Sequence, residues 1–174
     1  RTRRPRRVAR VVVQLAVKIT AYLGLGSNVG DREAQIRSAL DALDAAPGVE
    51  VVATSELRET DPVGGPEQGR FLNGAAEVVT TLPARALLAL CKELERRAGR
   101  DPSAVRNHPR ELDLDLLLFG DQTIDERGLS VPPPRIAERE FVLEPLAELG
   151  VERSRIQSSG IPRMVTEADD FADL

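Results

Sequence analysis

Leu112-Asp-Leu-Asp-Leu-Leu-Leu-Phe119 is entered from Pro109-Arg-Glu111 and ended by Gly120-Asp121. Its strongly apolar character and its bounding residues predict a strand. Alternate side chains of a strand share a face, so Leu112, Leu114 and Leu116 point to a core while Asp113 and Asp115 stand together on the other side. About 7 Å of backbone separates the two carboxylates. Aspartate is a poor strand former and like charges repel, so the pair is locally unfavourable unless a cation offsets it. By strand geometry alone two readings stay open: the wet face of an amphipathic strand, or a site for hard divalent cations such as magnesium, completed by phosphate oxygens.

Upstream, Ala21-Tyr-Leu-Gly24 reads as a short strand, and Gly24-Leu-Gly-Ser-Asn-Val-Gly30 as a turn leading to Asp31, a good helix N-cap. Ile36, Ala39, Leu40 and Leu43 then recur at helical spacing until Pro47-Gly48. Two β-rich runs follow, Val49 to Leu57 and Asn73 to Thr81, separated by the loop Asp61 to Gly69. Thr81-Leu-Pro83 opens a second helix with Leu87, Leu90, Cys91 and Leu94 on one face and Gly99 as its stop. A second loop, Arg100 to Arg110, delivers the chain into the Asp-Leu-Asp strand. The order is therefore β-α-β-β-α-β, which predicts an α+β, ferredoxin-like domain: an antiparallel sheet with both helices on one face. The opposite face is expected to be covered by the two long loops, with the site there.

With 174 residues and 41% apolar content the chain suits one domain with a real core. Aromatics are only 3% and Trp is absent, which argues against a stacking platform for single-stranded nucleic acid. One cysteine and one histidine exclude an internal disulfide and a Cys/His zinc cluster. Cys91 lies on the apolar helix face and reads as a small core residue. The formal charge of −4 hides an asymmetry: Arg1 to Ile19 carries six Arg and one Lys and no acid, leaving an acidic body suited to recruiting cations rather than nucleic acid. No apolar run is long enough to span a bilayer, so no membrane association and a cytoplasmic location are the expectations. Residues 1–20 read as a basic extension, a disordered arm or the end of an upstream fused domain whose last strand would be Val11 to Ile19. Residues 21–150 read as the domain, and 151–174 as a tail.

Arg97, Arg100, Arg106 and Arg110 cluster just before the carboxylate pair. A divalent metal beside guanidinium groups describes a polyphosphate site, where catalysis consists of positioning and charge neutralisation. Neither G-x-G-x-x-G nor G-x-x-x-x-G-K-[ST] occurs, so a dinucleotide fold and a Walker-type loop are unsupported. His108, the only histidine, reads as an exposed loop residue.

Taken together, Gly24-Leu-Gly-Ser-Asn28, Glu59-Thr-Asp-Pro-Val-Gly64, Phe71-Leu-Asn73, Glu95 with Gly99-Arg100, Pro109-Arg110 with Leu112-Asp-Leu-Asp115, and Arg139 with Phe141-Val-Leu143 resemble the 6-hydroxymethyl-7,8-dihydropterin pyrophosphokinase family. The resemblance runs from Ala21 to about Leu149. It implies an ATP-dependent diphosphokinase of folate biosynthesis that passes pyrophosphate from ATP to the pterin hydroxymethyl group and releases AMP. It further implies two magnesium ions on Asp113 and Asp115, with Arg100 and Arg110 clamping the phosphates. Asn73 would bind the pterin edge, Phe71 and Phe141 its rings, and Thr60 and Val63 would add backbone contacts. Glu95 and Arg139 would face the nucleotide, and backbone near Leu116 the adenine.

Three positions depart from the family pattern. Pro133 stands where a phosphate-contacting histidine is common, Asn107 where an aromatic often lies, and His108 replaces a small residue. Pro133 and Asn107 motivate an alternative, a catalytically weak homologue that binds ATP or pterin on the same fold. Small-molecule substrates are the expected partners, with fusion to or association with neighbouring folate-pathway enzymes as a further expectation.

Overall fold

A computed structural model describes residues 16–99 and 109–159. The expectations for Arg100, Arg106, Asn107, His108, residues 1–15 and residues 160–174 therefore lie outside the described residues.

The central strand β1 (Ile19–Ser27) pairs antiparallel with β4 (Phe71–Thr80) on one side and β5 (Asp113–Phe119) on the other. Beyond β4, β2 (Val49–Thr54) and β3 (Arg58–Thr60) pair with successive parts of that strand, giving the order β2-β4-β1-β5. Helix α1 (Arg32–Ala45) opens on Asp31, whose carboxylate accepts the Ala34 N–H at 3.1 Å. Helix α2 (Ala84–Arg97) follows β4 and buries Leu87, Cys91 and Leu94. Both helices pack on one face of the sheet against Ala21, Leu23, Leu25, Ala76, Val78, Leu112, Leu114 and Leu116. The antiparallel α+β arrangement and the α1–α2 face are as the sequence predicts.

The other face differs from expectation. Instead of loops alone, it carries a second core in which Ile136, helix α3 (Glu140–Glu148) and helix α4 (Arg153–Ser159) pack on Tyr22, Ala75, Leu117 and Leu118. The cause is a register shift in β5: Tyr22 faces Leu118 while Leu23 faces Leu116, so a bulge puts the consecutive Leu117 and Leu118 on this side. Val151 and Ile156 belong to this core, so the packed body continues past residue 150. A short hairpin, β6 (Ile124–Glu126) with β7 (Leu129–Val131), connects β5 to this layer.

The glycine turn is a second correction. Gly24 and Gly26 lie inside β1, paired with Ala75 and Asn73, and the chain turns only after Ser27. Strand β1 also begins at Ile19, which pairs with Thr80.

Leu146 is fully buried in the second core. Leu146→Ala should therefore cost about 2–5 kcal/mol, as for other core leucine truncations. A denaturant midpoint equal to that of the unaltered chain would show that the α3 layer is a loosely held appendage.

Candidate active site

The part of the second face that α3 leaves open is almost bare. Gly24 and Gly26 on β1 alternate with core-facing residues, and across from them stand Asp115 and Asp113 on β5. On the other flank Asn73 of β4 sits opposite Gly26. Asp113, Gly26 and Asn73 thus form one row across three strands, about 10 Å from end to end by strand spacing. Close approach matters at Gly26, where Asn73 would have to shift to admit a Cβ, and not at Gly24, where a Cβ would make an ordinary contact. A Cβ at Gly26 would lie 2.9 Å from Asn73 Oδ1, and one at Gly24 would lie 3.4 Å from Leu117 Cδ1.

Above this floor opens a cavity of about 950 Å³. Of the residues singled out in the sequence, Thr60, Val63, Phe71 and Asn73 line it from β3, β4 and the loop between them. Arg110, Asp113 and Asp115 line it from β5 and its approach, and Arg139 and Phe141 from the start of α3. Asn73 Nδ2 donates to Thr60 Oγ1, which ties β4 to β3 at the wall. Val63 is 70% exposed at the rim. Arg135, which no motif indicated, also lines the cavity and pairs with Glu138 at 3.1 Å. At Pro133 the carbonyl accepts the Ile136 N–H, opening a short 3-10 turn that carries Arg135 and Arg139 to the cavity from its two ends.

Two residues lie apart from the cavity lining. Glu95 is only 1% exposed, accepts the Leu114 N–H at 2.9 Å and pairs with Lys92 at 3.2 Å. Strand β5 is the edge of the sheet, so its outward N–H groups need partners, and Glu95 supplies one between the two aspartates. The Leu116 side chain is buried in the α1–α2 core. Arg100 lies outside the described residues.

Arg110 Nη1 donates to Asp113 Oδ2 at 2.7 Å. Asp115, open to the cavity, is raised to about 7, first by desolvation and next by the Asp113 charge, with Lys92 and Arg110 opposing. Two hard carboxylates on one face, whose mutual repulsion their positive neighbours do not offset, match the donor chemistry of magnesium. Among the described residues no group of three or more His, Cys, Asp or Glu gathers as a metal site, so water and phosphate oxygens would complete the coordination. Cys91 is buried and its thiol is pushed up to about 12, mainly by burial, which suits a core residue and no nucleophile.

The profile of the 7,8-dihydro-6-hydroxymethylpterin-pyrophosphokinase family matches residues 22–151. The chain belongs to this family. Among its relatives, the 2-amino-4-hydroxy-6-hydroxymethyldihydropteridine pyrophosphokinase of Bacillus subtilis is 47% identical over 129 residues, covering 74% of this chain and 77% of that protein. The protein of the same name from Pseudomonas aeruginosa is 40% identical over 144 residues, covering 83% and 88%. A folate synthesis bifunctional protein of Arabidopsis thaliana is 42% identical over 127 residues, which is 73% of this chain and 26% of that larger protein. This pyrophosphokinase-family chain is thus an enzyme whose matched region holds the whole described cavity. No helix among the described residues is long and apolar enough to cross a membrane.

The raised Asp115 has a stability consequence. Its folded carboxyl holds a proton to higher pH than the unfolded one, so stability present below about pH 4 is lost as the pH rises towards 7. Asp115→Asn removes the charge that carries this penalty. Without magnesium at about pH 8 the variant should melt a few degrees higher, by about 1 kcal/mol after discounting for solvent at the carboxylate. At about pH 4 the difference should vanish. Equal melting temperatures at the higher pH would contradict the electrostatic conflict.

Proposed function

We propose that the chain transfers pyrophosphate from ATP to the hydroxymethyl group of 6-hydroxymethyl-7,8-dihydropterin in folate synthesis, giving the pterin diphosphate and AMP. The observation that carries this reading is the shared cavity. A paired-carboxylate floor and a slot between Phe71, Asn73 and Phe141 open into the same space. The names of the Bacillus and Pseudomonas relatives point to the same pterin chemistry.

In the reaction the hydroxymethyl oxygen attacks the β-phosphorus in line. The bond from that phosphorus to the oxygen bridging the α-phosphate breaks, and the oxygen leaves with AMP. Two magnesium ions held by Asp113 and Asp115 would supply charge neutralisation on the phosphate oxygens and a fixed alignment between attacking and leaving groups. Phe71 and Phe141 flank the flat pterin, and Asn73 presents its carboxamide to the polar edge. Thr60 and Val63 contribute backbone contacts along the same wall. Arg110, already paired with Asp113, reaches the transferring phosphates by sharing its remaining N–H groups. Arg139 faces the nucleotide, Arg100 would clamp the phosphates together with Arg110, and the outer backbone of β5 at Leu116 meets the adenine. Glu95 acts on the nucleotide side by fixing Leu114, hence the spacing of the two aspartates. The main contribution of the protein is positioning plus electrostatic stabilisation.

A coupled assay for AMP with ATP, magnesium and the hydroxymethylpterin tests the reading directly. Asp113→Asn and Asp115→Asn should each lower turnover by about three orders of magnitude or more, equivalent to at least about 4 kcal/mol, with far-UV circular dichroism unchanged. Turnover equal to that of the unaltered chain would remove the metal role. Nucleotide binding without any AMP from the unaltered chain would instead favour the catalytically weak binding homologue.

A further inference from the structure

Asn28 follows β1 directly and was singled out only as part of a glycine-rich motif. It is 8% exposed and sits where three functional segments meet. Its Nδ2 donates to Gln68 Oε1 at 2.8 Å and to the Gly69 carbonyl at 3.0 Å. Its Oδ1 accepts the Arg110 N–H at 2.7 Å, and its own N–H donates to the Arg110 carbonyl at 3.0 Å. The carboxamide is therefore shared: one end holds the loop that carries Val63 and Gln68 into the cavity, and the other end holds the residue that grips Asp113.

We propose that Asn28 is a positioning residue that couples the pterin wall to the phosphate side of the cavity. The inference rests on the substrate assignment above and deepens it. Asn28 stands between β1 and the Asp31 cap of α1, so its main chain is anchored on both sides. The base of the 61–70 loop has its own anchor: Arg32 pairs with Glu59 and donates to the Arg70 carbonyl, and Arg70 pairs with Glu59 and Asp61. The stretch at Gln68 and Gly69 instead reports to Asn28. When Arg110, still paired with Asp113, also reaches for a phosphate, its main chain moves against a partner that bonds it twice. The same carboxamide then tightens its hold on Gln68 and Gly69. Nucleotide at one end changes affinity for pterin at the other, and reciprocity requires the converse by the same factor.

The experiment is calorimetric. Affinity for 6-hydroxymethylpterin is measured without and with saturating magnesium and α,β-methylene ATP, for the unaltered chain, Asn28→Ala and Asn28→Asp. The unaltered chain should bind the pterin about 5- to 150-fold more tightly with the nucleotide present, the usual span of such couplings. Asn28→Ala should bring that ratio close to one. Asn28→Asp keeps an acceptor for the Arg110 N–H but faces the Gly69 carbonyl with another acceptor. It should hold the nucleotide as before while the ratio still collapses, and it carries the test if the alanine variant does not fold. Variants that keep the original ratio, or lose both affinities together at a constant ratio, overturn the proposal. An unaltered chain that binds both ligands with a ratio of one overturns the coupling alone, whereas one that binds neither sinks the substrate assignment.

Discussion

Two like charges share one face of an edge strand, and much of the surrounding structure answers that repulsion. Asp113 is met by Arg110, while Asp115 keeps its proton to unusually high pH. Between them the Leu114 N–H, which would otherwise be an unpaired edge donor, is taken by a buried glutamate that has its own lysine. A third carboxylate placed there adds to the negative potential around the pair. The fold therefore spends stability on holding negative charge at one spot, an arrangement that makes physical sense when cations and phosphates complete it.

Much of this was legible in the chain because it is written in local periodicity. The helical spacing of Leu87, Cys91 and Leu94 and the alternation of Leu112, Asp113, Leu114 and Asp115 each specify a face without reference to distant residues. The Asp31 cap reads equally well. Membership of the cavity by Asn73, Phe71, Phe141 and Arg139 came from a family resemblance rather than from any rule of spacing.

What escaped the reading has physical reasons. Leu117 and Leu118 look like continued core in a list of leucines, yet Leu117 continues the face of Asp113 and Asp115, a bulge adds Leu118 to it, and the two found a second core for α3 and α4. Gly24 and Gly26 carry the usual turn signal, and only their cross-strand partners reveal them as floor. The partners of Asn28 lie 40, 41 and 82 positions away, so no window along the chain could show that one carboxamide joins two loops.

The bare floor has a bearing on how this enzyme can change. Gly24 and Gly26 line a small recess with Asn73, Asp113, Asp115 and Phe141 beside the large cavity, and what they offer there is main chain, common to every sequence that keeps the fold. A side chain at Gly26 would push Asn73 aside, whereas one at Gly24 would make an ordinary contact with Leu117. A larger residue is therefore met with more resistance at Gly26, where Asn73 has to move first, than at the exposed Val63 rim.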